Sequence, residues 1–283
     1  MASALPNESG GYEYEVECVP LYTEHGKTRF LGTRRKDTGE IFATVTSAYE
    51  VLQNRDLVQA AEAAFKAKGL SGWRRKAVVA RGGARCYVIY DFPCIGGKIA
   101  GQDVTFRLII QNSFDGTVRA SFTVGLFRLI CSNGMAVPEN TIGMTRRHVG
   151  SIETDFVART VEQALRLFFD ALPMFQMMTG IKVAQLEGLR IINNLIHEGV
   201  FTMKDGDGVS AIWMAPSHQE DCARTLWNLY NAVTQHLTHA QGGNAVAARF
   251  EESEKCSRRI SKAFMVAAQI GGIEALLGAD RPN

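Results

Sequence analysis

Between positions 47 and 69, SAYEVLQNRDLVQAAEAAFKAKG repeats its apolar residues at helical spacing through Tyr49, Leu52, Leu57, Ala60, Ala61, Ala64 and Phe65. Ser47 is a capping residue and Gly69 a stop, so this pattern predicts a helix, with Asn54 either interrupting it or capping it afresh. From Trp73 the period changes to two. The runs WRRKAVVAR and ARCYVIYDF flank Gly82-Gly83, a two-residue hairpin signal. Closing that hairpin with Arg81 opposite Ala84 sets Val79 beside Cys86 and Ala77 beside Val88. Arg74, Lys76, Val78, Arg85 and Tyr87 then fall towards the other face.

A second hairpin is predicted in QNSFDGTVRASFTVGLFRLICSNGM, residues 111 to 135. A two-residue Asp115-Gly116 loop would mix its faces. A three-residue loop, Phe114-Asp115-Gly116, pairs Ile110 with Ala120, Leu108 with Phe122 and Phe106 with Val124, and gives Gly116 the left-handed position after the turn. Thr105, Arg107, Gln111, Arg119, Ser121 and Thr123 share the opposite face, expected as an exposed polar sheet surface. Gly134 and Pro138 are expected to end the strands.

Beyond Ser151 the spacing of Phe156, Val157, Val161, Leu165, Phe168 and Phe169 predicts a helix that Pro173 should kink or end. Residues 181 to 199, 218 to 240 and 244 to 278 read as further helices, and VFTMKDGDGVSAIWM as a short hairpin around Asp205 to Gly208. The order is helix, four-stranded antiparallel sheet, helical half: an α+β fold with two hairpins packed against helices. Residues 1–40 read as an N-terminal arm, 41–150 as the helix and sheet core, and 151–283 as a helical region packed on that core within one domain.

Composition narrows this picture. With 283 residues and 46% hydrophobic content the chain can bury a proper core. Its apolar runs are too short for a membrane span, and the N-terminus lacks a signal layout, which points to a soluble, cytoplasmic protein without membrane partners. Six scattered cysteines without a CxxC pair suit reduced thiols. The net charge of +2 hides an asymmetry: residues 1–26 carry five acids and no Lys or Arg, whereas residues 27–85 hold thirteen Lys or Arg against five acids. A field of that size attracts a polyanion, although a basic run also serves as a solvated face.

Catalytic patterns find little support. IGGKIAGQ lacks the GxxxxGK[ST] order of a phosphate loop, which removes the basis for ATP-driven activity and for a nucleotide cofactor. Cys131 and His148 are not brought within reach by spacing. His218 with Cys222 and His236 with His239 are helical pairs of soft ligands, but no carboxylates complete a zinc pattern. Asp205 and Asp207 lack the remaining oxygens of a calcium loop. No metal, cofactor or catalytic residue is expected.

Binding chemistry remains. Single-stranded nucleic acid needs cations for phosphates and flat side chains for bases, and imposes no fixed motif. Arg74, Lys76, Arg85, Arg107 and Arg119 on sheet faces supply the cations and Tyr87, with Trp73, the flat groups. Arg146 and Arg147, with His148 just before a helix start, add a phosphate site. The same arginines would also simply solvate an open antiparallel face.

The spaced motifs Asn112-Ser113-Phe114-Asp115-Gly116, Phe127-Arg128-Leu129-Ile130-Cys131-Ser132-Asn133-Gly134 and Arg147-His148 resemble the NSxDG, RxxCxN and RH signature of an uncharacterised phage- and plasmid-encoded family. VTSAYEVLQNRDLV and TLWNLYNAVTQHLTHAQGG resemble further segments of it, so the likeness runs over roughly residues 40–265. Phe114 departs from the His frequent there. That family has no assigned activity. The element order is also similar, by analogy only, to the β-β-β-α core of Rad-fifty-two-type single-strand annealing proteins, which form rings and hold single-stranded DNA in a basic groove.

The expectation is therefore an ATP-independent, homo-oligomeric ring or filament that binds and anneals single-stranded DNA in phage or plasmid recombination, alongside a nuclease or single-strand-binding protein. The alternative is a non-enzymatic module that binds a host defence or replication protein.

Overall fold

The computed structural model describes residues 11–128, 133–143, 154–239 and 246–278. Within the stretch expected as an arm, alternation in YEYEVECVPLYT and GKTRFLGTRR produces two paired strands. β1 (Val16–Thr23), β2 (Gly26–Arg35) and β3 (Ile41–Thr46) form a three-stranded antiparallel sheet in that order.

The first helix, α1, spans Asn54–Ala67 rather than starting at Ser47. Asn54 is its first residue, and Gly69 at φ +69 follows its end as the sequence implies. Leu57, Ala61, Ala64 and Phe65 are buried along one stripe, which is what fixes this helix in place.

β4 (Arg74–Ala80), β5 (Arg85–Ile99), β6 (Gln102–Ser113), β7 (Ser121–Arg128) and β8 (Asn133–Gly143) make a second sheet in the order β4-β5-β6-β7-β8. The expected register of the first hairpin holds, with Val79 opposite Cys86 and Ala77 opposite Val88. Between β5 and β6, Ala100 and Gly101 at φ +51 and +77 form a two-residue turn with both residues left-handed, the twist a tight hairpin prefers. IGGKIAGQ is thus the end of one strand and its turn.

Two expectations need correction. The Phe114-Asp115-Gly116 loop is wider: β6 ends at Ser113 and β7 starts at Ser121, with the Ser113 hydroxyl donating to the Val118 carbonyl at 2.7 Å. Gly116 is nonetheless left-handed, at φ +68. Pro138 does not end the sheet, which therefore has a fifth strand. β8 lies at its edge, the place in a sheet where proline is tolerated.

α2 (Thr154–Met178) buries Val157, Val161, Ala164, Phe168, Ala171, Phe175 and Met178 along one stripe. It runs on through Pro173. The carbonyl that loses its bond belongs to Phe169, an exposed residue whose carbonyl can turn to water. The helical half continues with α3 (Gln185–His197), α4 (Met203–Met214), α5 (Leu226–His239), α6 (Val246–Ile270) and α7 (Glu274–Leu277).

α4 replaces the hairpin expected around Asp205 to Gly208. Thr202 caps it, accepting from the Asp205 amide at 3.1 Å, while Asp205 accepts from the Thr202 amide at 3.4 Å. Its glycines serve packing instead of a turn. A Cβ on Gly206 would collide with Ile196, and one on Gly208 with the His236 ring.

The chain divides into two compact units, the first formed by Met1–Cys94, Arg107–Val124 and Thr141–Leu165, the second by Ile95–Phe106, Gly125–Asn140 and Arg166–Asn283. In the first, Phe65 packs edge-on to Tyr90 and Phe92 at 5.0 and 5.1 Å. The second centres on Phe175, Trp227, Tyr230 and Phe264, with the Tyr230 hydroxyl 2.5 Å from that of Ser261. No helix among the described residues is long and apolar enough to cross a membrane.

Candidate functional site

Strand register decides which cations can meet a ligand. Arg74 lies opposite Asp91, Lys76 opposite Ile89, Val78 opposite Tyr87 and Ala80 opposite Arg85, so these residues share one face of the sheet. Arg75, Ala77 and Val79 belong to the other, where Arg75 donates to Glu62 of α1 at 2.6 Å.

Arg74 and Lys76 are exposed on the outer strand, as the alternation implies, and Arg119 is exposed within the β6–β7 loop rather than on a strand face. The remaining predicted residues are placed otherwise. Tyr87 is only 4% exposed and offers no open ring for a base. Trp73 is half-buried and packs edge-on to Phe65 at 5.5 Å. Arg107 is half-buried and holds Asp91 with two bonds, Nε at 2.5 Å and Nη2 at 2.9 Å. Arg85 is turned to the loop, 2.8 Å from the Thr117 hydroxyl and 3.4 Å from Asp115. Arg146, Arg147 and His148 lie outside the described residues.

The expected polar surface is thus closed at its centre. Thr105, Gln111, Ser121 and Thr123 are all buried. Small polar side chains are compatible with burial when bonded, as Thr105 is to the Phe127 carbonyl at 3.3 Å.

The signature motifs build two polar clusters instead. In the first unit Asn112 donates to the Leu52 carbonyl and to Asn54 Oδ1, both at 2.8 Å. Tyr49 reaches the Ser113 carbonyl at 3.2 Å, and Thr33 the Phe114 carbonyl at 2.8 Å. Burial works against the charge on Asp115, but the Thr117 hydroxyl and amide and the Arg85 guanidinium outweigh it and hold that carboxyl below its ordinary value. The cluster ties the start of α1 and the loop after β6 together.

In the second unit Arg128, at 0% exposure, donates to Asp221 at 2.9 Å, and Asn231 and Asn228 reach the other oxygen of that carboxylate at 3.2 and 3.4 Å. Arg128 comes from the strand motif and Asn231 from the WNLYNA helix. The family model for a domain of unknown function, DUF932, matches residues 41–263, which takes in the second cluster and all of the first but Thr33. The chain belongs to this family. Over 162 residues it is also 24% identical to the UPF0380 protein YfjQ and 25% identical to the UPF0380 protein YafZ, both of Escherichia coli (strain K12), covering 54% of this chain and 56% of each relative. The chain thus spans about half the length of these curated relatives. No solved structure matches.

Within the DUF932 span the helix expected over 218–240 starts only at Leu226, so His218 and Cys222 flank a short turn ahead of it instead of sharing a helical face. His236 sits 3.1 Å from Asp205, Cys222 lies beside the His218 carbonyl at 3.8 Å, and no three His, Cys, Asp or Glu groups among the described residues gather as metal ligands. The Cys256 thiol is pushed up to about 12, by burial first and the charge of Asp205 second, so it is a poor nucleophile. The DUF932 match starts at residue 41, where β3 begins, and the β1–β2 hairpin stands ahead of it.

That hairpin carries residues the sequence reading passed over. Tyr22 is 69% exposed, Phe30 36%, and the Arg29 guanidinium lies 5.0 Å from the centre of the Phe30 ring. The signal was present in LYTEHGKTRF, where aromatic and basic residues alternate across a glycine turn.

Proposed function

We propose that this protein binds single-stranded DNA through its phosphates, without ATP, and that as a homo-oligomer in the cytoplasm it anneals complementary strands during phage or plasmid recombination. The observation that carries this reading is the pair Arg74 and Lys76, exposed on one face of the outer strand β4. Alternate residues of a strand stand about 6.6 Å apart, close to the spacing of successive phosphates on an extended single strand. Asp91, opposite Arg74, is already held by Arg107 and subtracts little from the field. Arg119 adds a third exposed cation.

Anisotropy of a fluorescein-labelled oligothymidylate tests this across a salt series. Binding should weaken steeply with salt, and Arg74→Glu with Lys76→Glu should remove most of it while the thermal unfolding profile stays in place. Neutral replacement of both should make the log–log salt slope shallower by about 1.4, two single-strand phosphate contacts. Absent or salt-insensitive binding overturns the proposal.

A second reading, a module that grips a host protein through the helical half, draws on Leu186 and Ile270, which are 71% and 66% exposed. A stable host protein recovered after nuclease treatment, and lost on Leu186→Ser with Ile270→Ser, would favour it.

A further inference from the structure

A single strand held by phosphates alone would present its bases to water, and the rings first expected to stack on them are buried or packed. Open rings occur elsewhere in the same unit, at the tip of the β1–β2 hairpin.

The base of this hairpin is firmly seated. Val16 and Thr33 are buried, and Gln53 brackets Val16, accepting from its amide at 3.2 Å and donating to its carbonyl at 2.7 Å. The Lys36 amide donates to the Glu15 carbonyl at 2.9 Å. From Tyr22 to Phe30 the picture inverts: every residue is exposed except the half-buried Thr28. The strands remain paired there, Tyr22 opposite Lys27 and Thr23 opposite Gly26, so the tip is an ordered ribbon closed by Glu24 and His25.

Cross-strand partners project from one face, so Tyr22 and Lys27 share a face of the ribbon. On β2 Arg29 lies over Phe30 at 5.0 Å, a second ring and cation held together. The one carboxylate at the tip, Glu24, faces His25 at 3.4 Å. Two exposed rings and two exposed cations on a seated ribbon meet the two requirements of an unspecific single-strand site: flat faces for bases and positive charge for the backbone.

We propose that the tip of the β1–β2 hairpin is a base-stacking site for single-stranded DNA, with Tyr22 and Phe30 as the platforms and Lys27 and Arg29 on the neighbouring phosphates. The site rests on the single-strand-binding reading above. It adds a base-dependent contribution that Arg74 and Lys76 cannot supply.

The test compares a fluorescein-labelled twenty-nucleotide oligothymidylate with an abasic strand of the same length, using the full chain. Tyr22→Ala with Phe30→Ala should weaken binding to the oligothymidylate by about tenfold per ring, leave the salt slope unchanged, and have little effect on the abasic strand. Lys27→Ala with Arg29→Ala should weaken both strands alike and make the slope shallower by about 1.4. As a readout independent of affinity, Tyr22→Trp should keep full binding and show quenched indole emission when oligothymidylate is added. An unchanged affinity in the ring variant, an equal loss on both strands, or an unquenched indole overturns the hairpin site; sensitivity to Arg74→Glu with Lys76→Glu would then leave the backbone reading standing. A wild-type chain that binds neither strand overturns both.

Discussion

The two motif clusters look alike in sequence, each a short run of polar residues between apolar ones, yet they hold the fold by different means. Around Asn112 and Ser113 the bonds are neutral and spread over Leu52, Asn54, Tyr49 and Val118, with Asp115 at the rim. Around Arg128 a fully buried guanidinium is matched to the Asp221 carboxylate, whose second oxygen takes two asparagine amides. Neutral bonds contribute about 1 kcal/mol each and fail one at a time. A buried ion pair is all or nothing, because removing one partner leaves a charge without water or counter-charge. A signature motif can therefore mark a place where the fold tolerates little change, without touching any ligand.

The largest expected effect tests that difference directly. Arg128→Ala should cost about 3–5 kcal/mol in urea unfolding, whereas Arg128→Met combined with Asp221→Leu should cost less, about 1–3 kcal/mol, because no buried charge is left and only the Asn231 and Asn228 amides lose their acceptor. If Arg128→Ala costs under about 1 kcal/mol, the contrast between the clusters collapses. Asn112→Ala comes next, at about 1–3 kcal/mol, since it orphans the Leu52 carbonyl and Asn54 Oδ1 together. A loss as large as that of Arg128→Ala would mean that the neutral cluster is equally indivisible.

Periodicity made much of the fold legible. The β4–β5 register followed from alternation and Gly82-Gly83, and the apolar stripes of α1 and α2 from spacing of 3.6. What failed did so for identifiable reasons. Thr105, Gln111, Ser121 and Thr123 have the same composition whether a sheet face is open or covered, and only neighbours distant in sequence decide which. Gly206 and Gly208 resemble a turn until Ile196 and His236 are placed against them. Arg107 and Arg85 look like free cations because Asp91 and Asp115, their partners, lie in other strands and loops. Asp221 gives no sign that it awaits Arg128, 93 residues earlier. The exposed hairpin rings were readable as alternation, but not as exposed, without knowing that the sheet core leaves the tip behind.

Smaller effects sharpen the rim of the first cluster. Gly116 has φ +68 and open space around its missing Cβ, so Gly116→Ala meets no neighbour and only the backbone strain remains, about 1–2 kcal/mol. Equal stability would show that this loop adjusts freely and that its glycine is dispensable.

The smallest effect concerns Asp115 and its pH dependence. Its folded carboxyl lies below the ordinary value of 3.8, with burial opposing and the Thr117 and Arg85 contacts prevailing. A depressed carboxylate contributes stability that is complete above its unfolded value and is lost as pH falls through the folded one. Asp115→Asn should therefore flatten the decline of the urea midpoint below about pH 4 and leave the slope near neutrality unchanged. An acid decline identical to the wild type would transfer the hold on the loop from Asp115 to the neutral bonds of Asn112 and Ser113 alone. The rim charge would then contribute nothing to a cluster held from within by the Asn112 and Ser113 side chains.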